Sequence, residues 1–186
     1  MDTRHPTIAR AGDSALVVID CQERLWRVIS GAEVLERQLA ILMRGARILQ
    51  VPVVVTEQYP KGLGPTVQSL KDAAGDAPVL EKMTFSCAGD DGFQSRIREL
   101  ERGTVVVCGI EAHICVLQTA LDLLADGYAV QVVADGIGTR APSNRDVALR
   151  RLEQAGAVIT CVESLLFEWM ERCDAAAFKE IQGLLK

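Results

Sequence analysis

The sequence predicts an α/β fold with a parallel sheet, on the basis of two observations. Six short β-branched runs alternate along the chain with longer segments of helical period, which is typical of βαβ units. Most of these runs are continuously apolar, as expected for parallel strands that helices cover on both faces. A chain of 186 residues is long enough to bury a sizeable core, so we expect residues 1–186 to form one domain.

The six apolar runs are the predicted strands. They comprise Ala15–Asp20, Val51–Thr56, Val79–Glu81, Thr104–Cys108, Ala129–Ala134 and Ala157–Cys161. After the first strand, apolar residues recur at spacings of three and four from Leu35 to Leu49, which places one apolar stripe on a helix. A second stripe runs from Leu117 to Leu124 after the fourth strand, and we expect Gly127 to end that helix.

Two further segments have distinct patterns. Ser143, followed three residues later by Asp146, resembles a capping box, which predicts a helix that begins after Pro142 and ends at Gly156. Residues 59–76 are rich in glycine and proline, and they predict a loop with at most a short helix. Irregular stretches of this length in a compact domain are usually functional.

The C-terminal segment from Glu163 to Lys186 is rich in large apolar side chains. It carries more apolar surface than one helix pair usually buries alone, and such surfaces commonly mark interfaces. We therefore expect a homo-oligomer, either a dimer or a tetramer.

Composition excludes several classes of function. The formal net charge is −5 and no basic run of five occurs, which argues against a nucleic-acid partner. No apolar stretch approaches the ~20 residues of a membrane span. The N-terminus lacks the apolar region of a secretory signal, which favours a cytoplasmic location in a reducing environment. We therefore interpret the cysteines singly, as the free thiols Cys21, Cys87, Cys108, Cys115, Cys161 and Cys173.

Ligands of open parallel sheets bind beyond the carboxyl ends of the strands, where the strand order reverses. The polar residues at those ends are Asp20, Cys21, Gln22, Glu57, Gln58, Tyr59, Lys82, Glu111, His113 and Cys115. Taken alone, an acid that ends a strand is commonly part of a turn, a lysine is commonly solvated and a free cysteine is commonly inert. Cys115 is the most suggestive, because the N-terminus of the following helix favours a thiolate.

Two other kinds of site fit poorly. Cys108, His113 and Cys115 are close in sequence, but the chain has two histidines and no Cys-x-x-Cys pair, so a closed zinc site is not expected. Gly136 and Gly138 lack the third glycine of a dinucleotide fingerprint, and they follow the fifth strand instead of the first. We expect neither a metal nor a cofactor.

Three segments, taken together in this order and spacing, change this balance. Residues 17–22 (VVIDCQ), 80–86 (LEKMTFS) and 108–116 (CGIEAHICV) resemble the Asp, Lys and Cys motifs of the isochorismatase-like cysteine hydrolase family. The resemblance covers about residues 10–170. Residues 56–64 (TEQYPKGLG) and 132–136 (VVADG) make the chain most similar to isochorismatase-domain-containing proteins whose substrate is unassigned.

The resemblance implies a specific fold. Members of this family form a Rossmann-like three-layer α/β/α sandwich with a six-stranded parallel sheet in the order 3-2-1-4-5-6. Strands one and four are then neighbours, which places Asp20 and Cys115 on either side of the switch point. The family also has a non-proline cis peptide, which is expected here between Ile110 and Glu111.

The resemblance also implies a mechanism of nucleophilic acyl transfer. Asp20 would take the proton of Cys115, whose sulfur attacks an amide-like carbonyl, and Lys82 would orient both groups. The backbone N–H groups of Glu111 and Cys115 would form the oxyanion hole. Nicotinamidases of this family carry a metal-binding Asp and His pair after strand two, whereas this chain has Thr56-Glu57-Gln58-Tyr59 there. Neither a metal nor nicotinamide is therefore expected.

The strand ends further predict a pocket for a small-molecule substrate, an uncharged or weakly anionic carboxamide. Its walls would be Gln22, Trp26, Gln58, Tyr59, Phe85 and His113, although Trp26 and Phe85 fit core packing equally well. Alternation along the strand should point Cys21 away from Asp20.

Two other functions remain open. One is vinyl ether hydrolysis of the isochorismatase type, in which Asp20 provides acid-base chemistry and Cys115 is dispensable. The other is a non-catalytic interaction protein on the same fold, which binds its partners through the C-terminal segment.

Overall fold

The fold is known from a computed structural model that describes residues 4–186. Its six strands form one sheet in the order β3-β2-β1-β4-β5-β6, and all neighbouring strands are parallel. The strands are β1 (Ser14–Ile19), β2 (Val53–Gln58), β3 (Val79–Lys82), β4 (Thr104–Ile110), β5 (Ala129–Gly138) and β6 (Val158–Thr160). The predicted fold class and strand order are confirmed.

Helices cover both faces of the sheet. They are α1 (Glu23–Trp26), α2 (Ala32–Ile48), α3 (Pro60–Leu63), α4 (Gln68–Ala74), α5 (Asp91–Glu99), α6 (Leu117–Ala125), α7 (Pro142–Gln154), α8 (Val162–Met170) and α9 (Phe178–Leu185). Helices α2, α4, α8 and α9 share one apolar layer with the sheet, and α5, α6 and α7 share the other. Short 3-10 turns occupy Ala11–Asp13 and Cys87–Gly89, and a π-helical turn occupies Ala112–Val116.

Strands β4 and β5 extend beyond their predicted ends. After an irregularity between Val107 and Gly109, the two strands resume pairing at Gly109 with Ile137 and at Ile110 with Gly138. Gly109 has φ 110°, a conformation that glycine adopts without steric cost. The sequence pattern failed here because an aspartate and two glycines interrupt the apolar run of β5.

The helix predicted near Ser143 forms, but its N-terminus differs from the prediction. Ala141 is the N-cap residue and no side chain caps the helix, so the predicted capping box is wrong. Pro142 occupies the first helical position instead, where its fixed φ suits a helix and no N–H is needed.

The segment 59–76 is more ordered than predicted, since it forms both α3 and α4. Helix α4 buries Leu70, Ala73 and Ala74 against the α2 side of the core. These apolar positions explain why the segment is helical despite its glycines.

The C-terminal helices are covered within the chain. Side chains that α8 and α9 bury in the apolar layer of α2 are Leu165, Leu166, Trp169, Met170 and Ile181. A Cβ at Gly45 would lie 2.3 Å from a Leu166 methyl group, so a glycine there lets α8 approach α2 closely. Much of this segment is therefore buried within the chain itself, while Phe167 remains 41% exposed. The homo-oligomer stays a prediction.

No helix between residues 4 and 186 combines the length and the apolar character that crossing a membrane requires.

Candidate active site

The carboxyl ends of β1 and β4 bring Asp20 and Cys115 together. Strand β1 pairs with β4 up to Ile19 and Gly109, so Asp20 lies directly beyond the paired region. Cys115 lies in the π-helical turn that follows β4, close enough to Asp20 for the charge of that carboxylate to raise the pKa of the thiol. A base and a thiol therefore meet at the switch point of the sheet.

The Asp20 carboxylate is fully buried and has further partners. The Thr56 hydroxyl donates to Oδ1 over 2.7 Å, and the Lys82 ammonium donates to Oδ2 over 2.7 Å. Asp20 has a left-handed backbone with φ 52°, which shifts the alternation of β1. Cys21 consequently packs in the layer of α2, whereas Cys115 packs in the opposite layer.

Lys82 is held by several acceptors. Besides Asp20, its Nζ donates to Gln58 Oε1 at 2.7 Å and to the carbonyls of Thr84 and Phe85 at 3.1 and 3.3 Å. Its side chain is almost fully buried, so these partners replace the water that the charge has lost. The three N–H groups of Lys82 are therefore shared among four acceptors within the protein.

The resting Cys115 thiol is protonated. Burial and the nearby Asp20 carboxylate raise the pKa of Cys115 to about 12, and the charge of Lys82 only partly opposes them. The expectation that a helix N-terminus lowers this pKa is therefore wrong, because desolvation and a neighbouring anion outweigh it.

Burial raises the pKa of the other buried thiols as well, so the pKa alone does not distinguish Cys115 from them. Burial raises the pKa of Cys21 and of Cys108 well above the usual range. Cys87, which the sequence analysis did not single out, lies nearer to the site, with its Sγ 3.7 Å from the Thr56 hydroxyl. Burial raises the pKa of Cys87 to about 11.

The Gln22 side-chain amide links the end of β1 to the end of β2 and to the segment that follows β2. Its Nε2 donates to the Gln58 carbonyl at 3.0 Å and to the Gly64 carbonyl at 2.7 Å, and its Oε1 accepts from the Gln58 N–H at 2.8 Å. Both N–H donors of Gln22 are therefore used by the backbone. Gln58 in turn donates from Nε2 to the Met83 carbonyl at 2.9 Å.

A cleft of ≈ 490 Å³ lies over the ends of β2 and β3. It is lined by Tyr59, Pro60, Lys61, Glu81, Lys82, Met83, Thr84 and Asp90. Tyr59 is 48% exposed, and it packs so closely on Gly62 that a Cβ there would lie 2.2 Å from the ring. Phe85 follows the lining residues in sequence and is 59% exposed. The structure thus places Tyr59 and Phe85 at the surface near Lys82.

Trp26 and His113 have partners elsewhere. Trp26 is buried in the layer of α2, and its Nε1 donates to Glu36 at 3.0 Å. The ring nitrogens of His113 lie 3.1 Å from the Thr139 hydroxyl and 3.3 Å from the Asn144 amide. The hydrogen-bond partners of these two side chains are thus Glu36, Thr139 and Asn144, and Asp20 is not among them.

Glu111 is the centre of another polar cluster. The peptide bond between Ile110 and Glu111 is cis, as the resemblance implies. The Glu111 carboxylate accepts from the Thr139 hydroxyl at 3.1 Å and from the Arg140 backbone N–H and Nε at 2.9 and 3.0 Å. Burial raises the pKa of Glu111, but these bonds and the Arg140 charge outweigh it and hold the pKa below its usual value.

Three polar residues of the site escaped the sequence analysis: Thr56, Thr139 and Arg140. Thr56 pairs in register with Ile19, so aligning the ends of β1 and β2 would have placed it beside Asp20. No comparable signal exists for Thr139 and Arg140, because their position depends on the irregular pairing of β4 with β5.

Within residues 4–186, no three His, Cys, Asp or Glu side chains are grouped so that they could hold a metal ion. The thiols of this region are all free.

Comparisons with known proteins identify the family of this chain. Residues 14–164 match the model of the isochorismatase domain. The chain is 40% identical over 188 residues to isochorismatase domain-containing protein 2 of Bos taurus, covering 100% of this chain and 90% of the relative. It is also 40% identical over 184 residues to the secreted isochorismatase effector Isc1 of Phytophthora sojae, covering 93% and 84%.

A solved structure gives the same result. The protein described as MAR1 ribonuclease from Caenorhabditis elegans superposes with a TM-score of 0.90 at 38% identity, over 95% of this chain and 91% of that chain. The fold and site define an α/β protein of the isochorismatase-like hydrolase class. The chain belongs to the isochorismatase family.

Proposed function

We propose that this protein is a cysteine hydrolase that cleaves the carbon–nitrogen bond of a small-molecule amide through a thioester on Cys115. The observation that carries the proposal is that the neighbouring ends of β1 and β4 place the Cys115 thiol beside the buried Asp20 carboxylate, with Lys82 2.7 Å from the same carboxylate. A thiol, a base and an orienting cation in contact are the components of nucleophilic acyl transfer.

The first half of the reaction forms the acyl-enzyme. Cys115 Sγ attacks the amide carbonyl carbon, the carbonyl electron pair moves to oxygen and the thiol proton moves to Asp20. Backbone N–H groups of Glu111 and Cys115 stabilise the oxyanion, and each such donor typically contributes about 3 kcal/mol. The carbonyl re-forms, the C–N bond breaks and Asp20 passes its proton to the departing nitrogen. An amine or ammonia leaves.

The second half hydrolyses the thioester. Asp20, again unprotonated, takes a proton from water while the water oxygen attacks the thioester carbonyl. The C–S bond breaks, sulfur regains the proton from Asp20 and a carboxylic acid leaves. Because Cys115 rests as a neutral thiol, each step moves one proton between Asp20 and its neighbours without leaving a free thiolate.

The proposed substrate is an uncharged or weakly anionic carboxamide. The cleft near Lys82 exposes Tyr59 and Met83, which suits a small ligand with apolar surface. RNA fits less well, although one relative is described as a ribonuclease. The net charge of −5 opposes a phosphate backbone, and in the cleft Glu81 and Asp90 balance the charges of Lys61 and Lys82, so the lining has no excess of positive charge.

A panel of small carboxamides tests the proposal, with release of ammonia or amine as the readout. We expect hydrolysis that Cys115→Ala abolishes and that Cys173→Ala, a change at an exposed thiol, leaves unchanged. Intact-mass spectrometry of rapidly quenched wild-type protein should show an acyl group on Cys115. Full turnover by the Cys115→Ala variant would contradict the proposal.

The same variants separate the alternative reaction. Vinyl ether hydrolysis by Asp20 would survive Cys115→Ala and fail in Asp20→Asn, because proton transfer needs the carboxylate and not the thiol. A non-catalytic protein would show neither activity in any variant.

We further propose that the protein acts in the cytoplasm as a dimer or tetramer. Light scattering on the purified chain measures the second point directly, and a mass equal to one chain would contradict it.

A further inference from the structure

Both the backbone carbonyl and the side-chain carboxylate of Glu111 accept hydrogen bonds, and the carbonyl is bonded to the turn that contains Cys115. Its carbonyl accepts hydrogen bonds from the N–H groups of Ile114 and Val116 at 3.0 and 3.3 Å, which flank Cys115 in sequence. Its carboxylate accepts two hydrogen bonds from Arg140, through the backbone N–H and Nε. A shift of the Glu111 side chain is therefore transmitted to the turn that carries Cys115.

The segment that presents Arg140 is itself well anchored. Gly138 pairs with Ile110 at the end of the sheet, and the Thr139 carbonyl accepts from the Ser30 N–H at 3.1 Å. The Thr139 hydroxyl adds the third bond to the Glu111 carboxylate. The backbone of Arg140 is thus held in place by its neighbours, even though the Arg140 side chain is 58% exposed.

We propose that Arg140 is a positioning residue for the oxyanion site, acting through Glu111. The inference rests on the proposed function, in which the N–H groups of Glu111 and Cys115 stabilise the oxyanion. Such donors must lie about 2.7–3.1 Å from the developing oxyanion, and a displacement of about 1 Å can slow a reaction about 100-fold. Arg140 holds the Glu111 side chain in place. It thereby positions the Glu111 N–H directly and the Cys115 N–H through the turn that is bonded to the Glu111 carbonyl.

Two reactions of Cys115 Sγ distinguish positioning of the oxyanion site from other effects, because only one of them forms an oxyanion. When Cys115 adds to an aldehyde, an Sγ–C bond forms, the carbonyl electron pair moves to oxygen and the thiol proton moves to Asp20. The product carries an oxyanion in the proposed site. When iodoacetamide alkylates Cys115, an Sγ–C bond forms, iodide leaves and the thiol proton again goes to Asp20, but no oxyanion develops.

The test measures how strongly butyraldehyde protects Cys115 from iodoacetamide, followed by peptide mapping. Arg140→Gln should raise the butyraldehyde Kd about tenfold or more and leave the alkylation rate without aldehyde unchanged. Arg150→Gln, an exposed change on the helix α7 that follows Arg140, has the same loss of charge and should alter neither quantity. Because butyraldehyde is uncharged, losing a direct ionic contact with a ligand would not produce this pattern.

A second variant covers the case in which Arg140→Gln does not fold. Thr139→Val removes one of the three hydrogen bonds to the Glu111 carboxylate and keeps Arg140. It should raise the butyraldehyde Kd in the same direction by a smaller factor. Equal Kd values in wild type and variants would overturn the inference, as would a parallel loss of alkylation rate, which indicates general damage to the site.

Failure of the proposed function has a different signature. If iodoacetamide does not alkylate Cys115 in the folded wild-type protein, Cys115 is not an accessible nucleophile, and both the proposed function and the role of Arg140 are contradicted. Wild-type Cys115 that is alkylated rapidly but gains no protection from butyraldehyde would overturn the oxyanion site and Arg140's role alone.

Discussion

The two sides of the switch point hold their functional groups by different means. On the side of β1, β2 and β3, side chains meet directly, since Lys82 and Thr56 each lie 2.7 Å from the Asp20 carboxylate. On the side of β4 and β5, the Glu111 carboxylate is bonded by Arg140 and its carbonyl by the turn of Cys115. One side therefore positions charge and the other positions backbone.

The difference indicates a division of labour. Charges placed in a buried cluster control proton transfer, since burial and nearby charges set the pKa of each group. Fixed backbone N–H groups stabilise an oxyanion without reorganising during the reaction. Substitutions on the two sides should consequently change different steps, and four measurements can break or sharpen this comparison.

The largest expected effect belongs to Asp20→Asn. The asparagine cannot accept the Cys115 proton, so the rate of amide hydrolysis should fall by a factor of about 10²–10⁴. Initial rates of ammonia release measure it. Asp146→Asn, an exposed change on α7, should leave the rate unchanged. A loss smaller than tenfold in Asp20→Asn would break the comparison, because the charged side would then not control the proton.

Gly109→Ala tests the close approach of β1 and β4, which joins the two sides. A Cβ at Gly109 would lie 2.2 Å from the Ile19 carbonyl oxygen, and φ is 110°. The free energy of unfolding should drop by about 3 kcal/mol or more, measured by urea denaturation. Gly127→Ala is the matched control, since φ there is 91° but no atom lies within 4 Å of the added Cβ. Its cost should be about 1 kcal/mol, and equal losses would contradict the role of close strand approach.

Alkaline pH should destabilise the protein through the buried thiols of the charged side. The pKa of Cys87 rises from 9.0 to about 11 on burial, so the unfolded chain loses its thiol proton first. Stability is therefore retained below pH 9 and lost as pH rises towards 11, by about 1.4 kcal/mol per pH unit for one such thiol. Thermal or urea unfolding at several pH values measures the slope.

A pair of variants assigns that slope. Cys87→Ala should reduce the loss of stability between pH 9 and 11, whereas Cys173→Ala, at an exposed thiol, should not. Identical slopes in both variants would show that Cys87 ionises freely in the folded protein.

Thr56→Val gives the smallest expected effect and sharpens the comparison most finely. It keeps the shape of the side chain and removes the hydroxyl that donates to Asp20 over 2.7 Å. Amide hydrolysis should slow about tenfold, because one net hydrogen bond to a charged group contributes about 1.5 kcal/mol. Thr56→Ser should restore most of the rate. A Thr56→Val rate equal to wild type would show that Lys82 alone orients the carboxylate.

The sequence predicted the charged side of the site better than the backbone side. The resemblance assigned Asp20 and Lys82 to the site, and the strand order that it also implies brings their strand ends to the same edge of the sheet. Arg140 could not be found this way, because its distance from Glu111 depends on the irregular pairing of β4 with β5. Local backbone irregularities are not encoded in apolar periodicity.

Side-chain direction was harder to predict than location. Gln22 was placed correctly at a strand end, yet its amide bonds to the backbone of neighbouring strand ends. Trp26 was assigned to the pocket but packs in the layer of α2. Both were predicted from their position after a strand end, which does not determine side-chain direction: Gln22 follows the left-handed residue Asp20, and Trp26 lies in helix α1.

The central claim is that Cys115 is a nucleophile deprotonated by Asp20, and acetylation by p-nitrophenyl acetate tests it without knowledge of the substrate. One acetyl group per chain should appear on the peptide that contains Cys115 within the burst of p-nitrophenolate, and Asp20→Asn should suppress it. Acetylation of the exposed Cys173 while Cys115 stays unmodified would contradict the account.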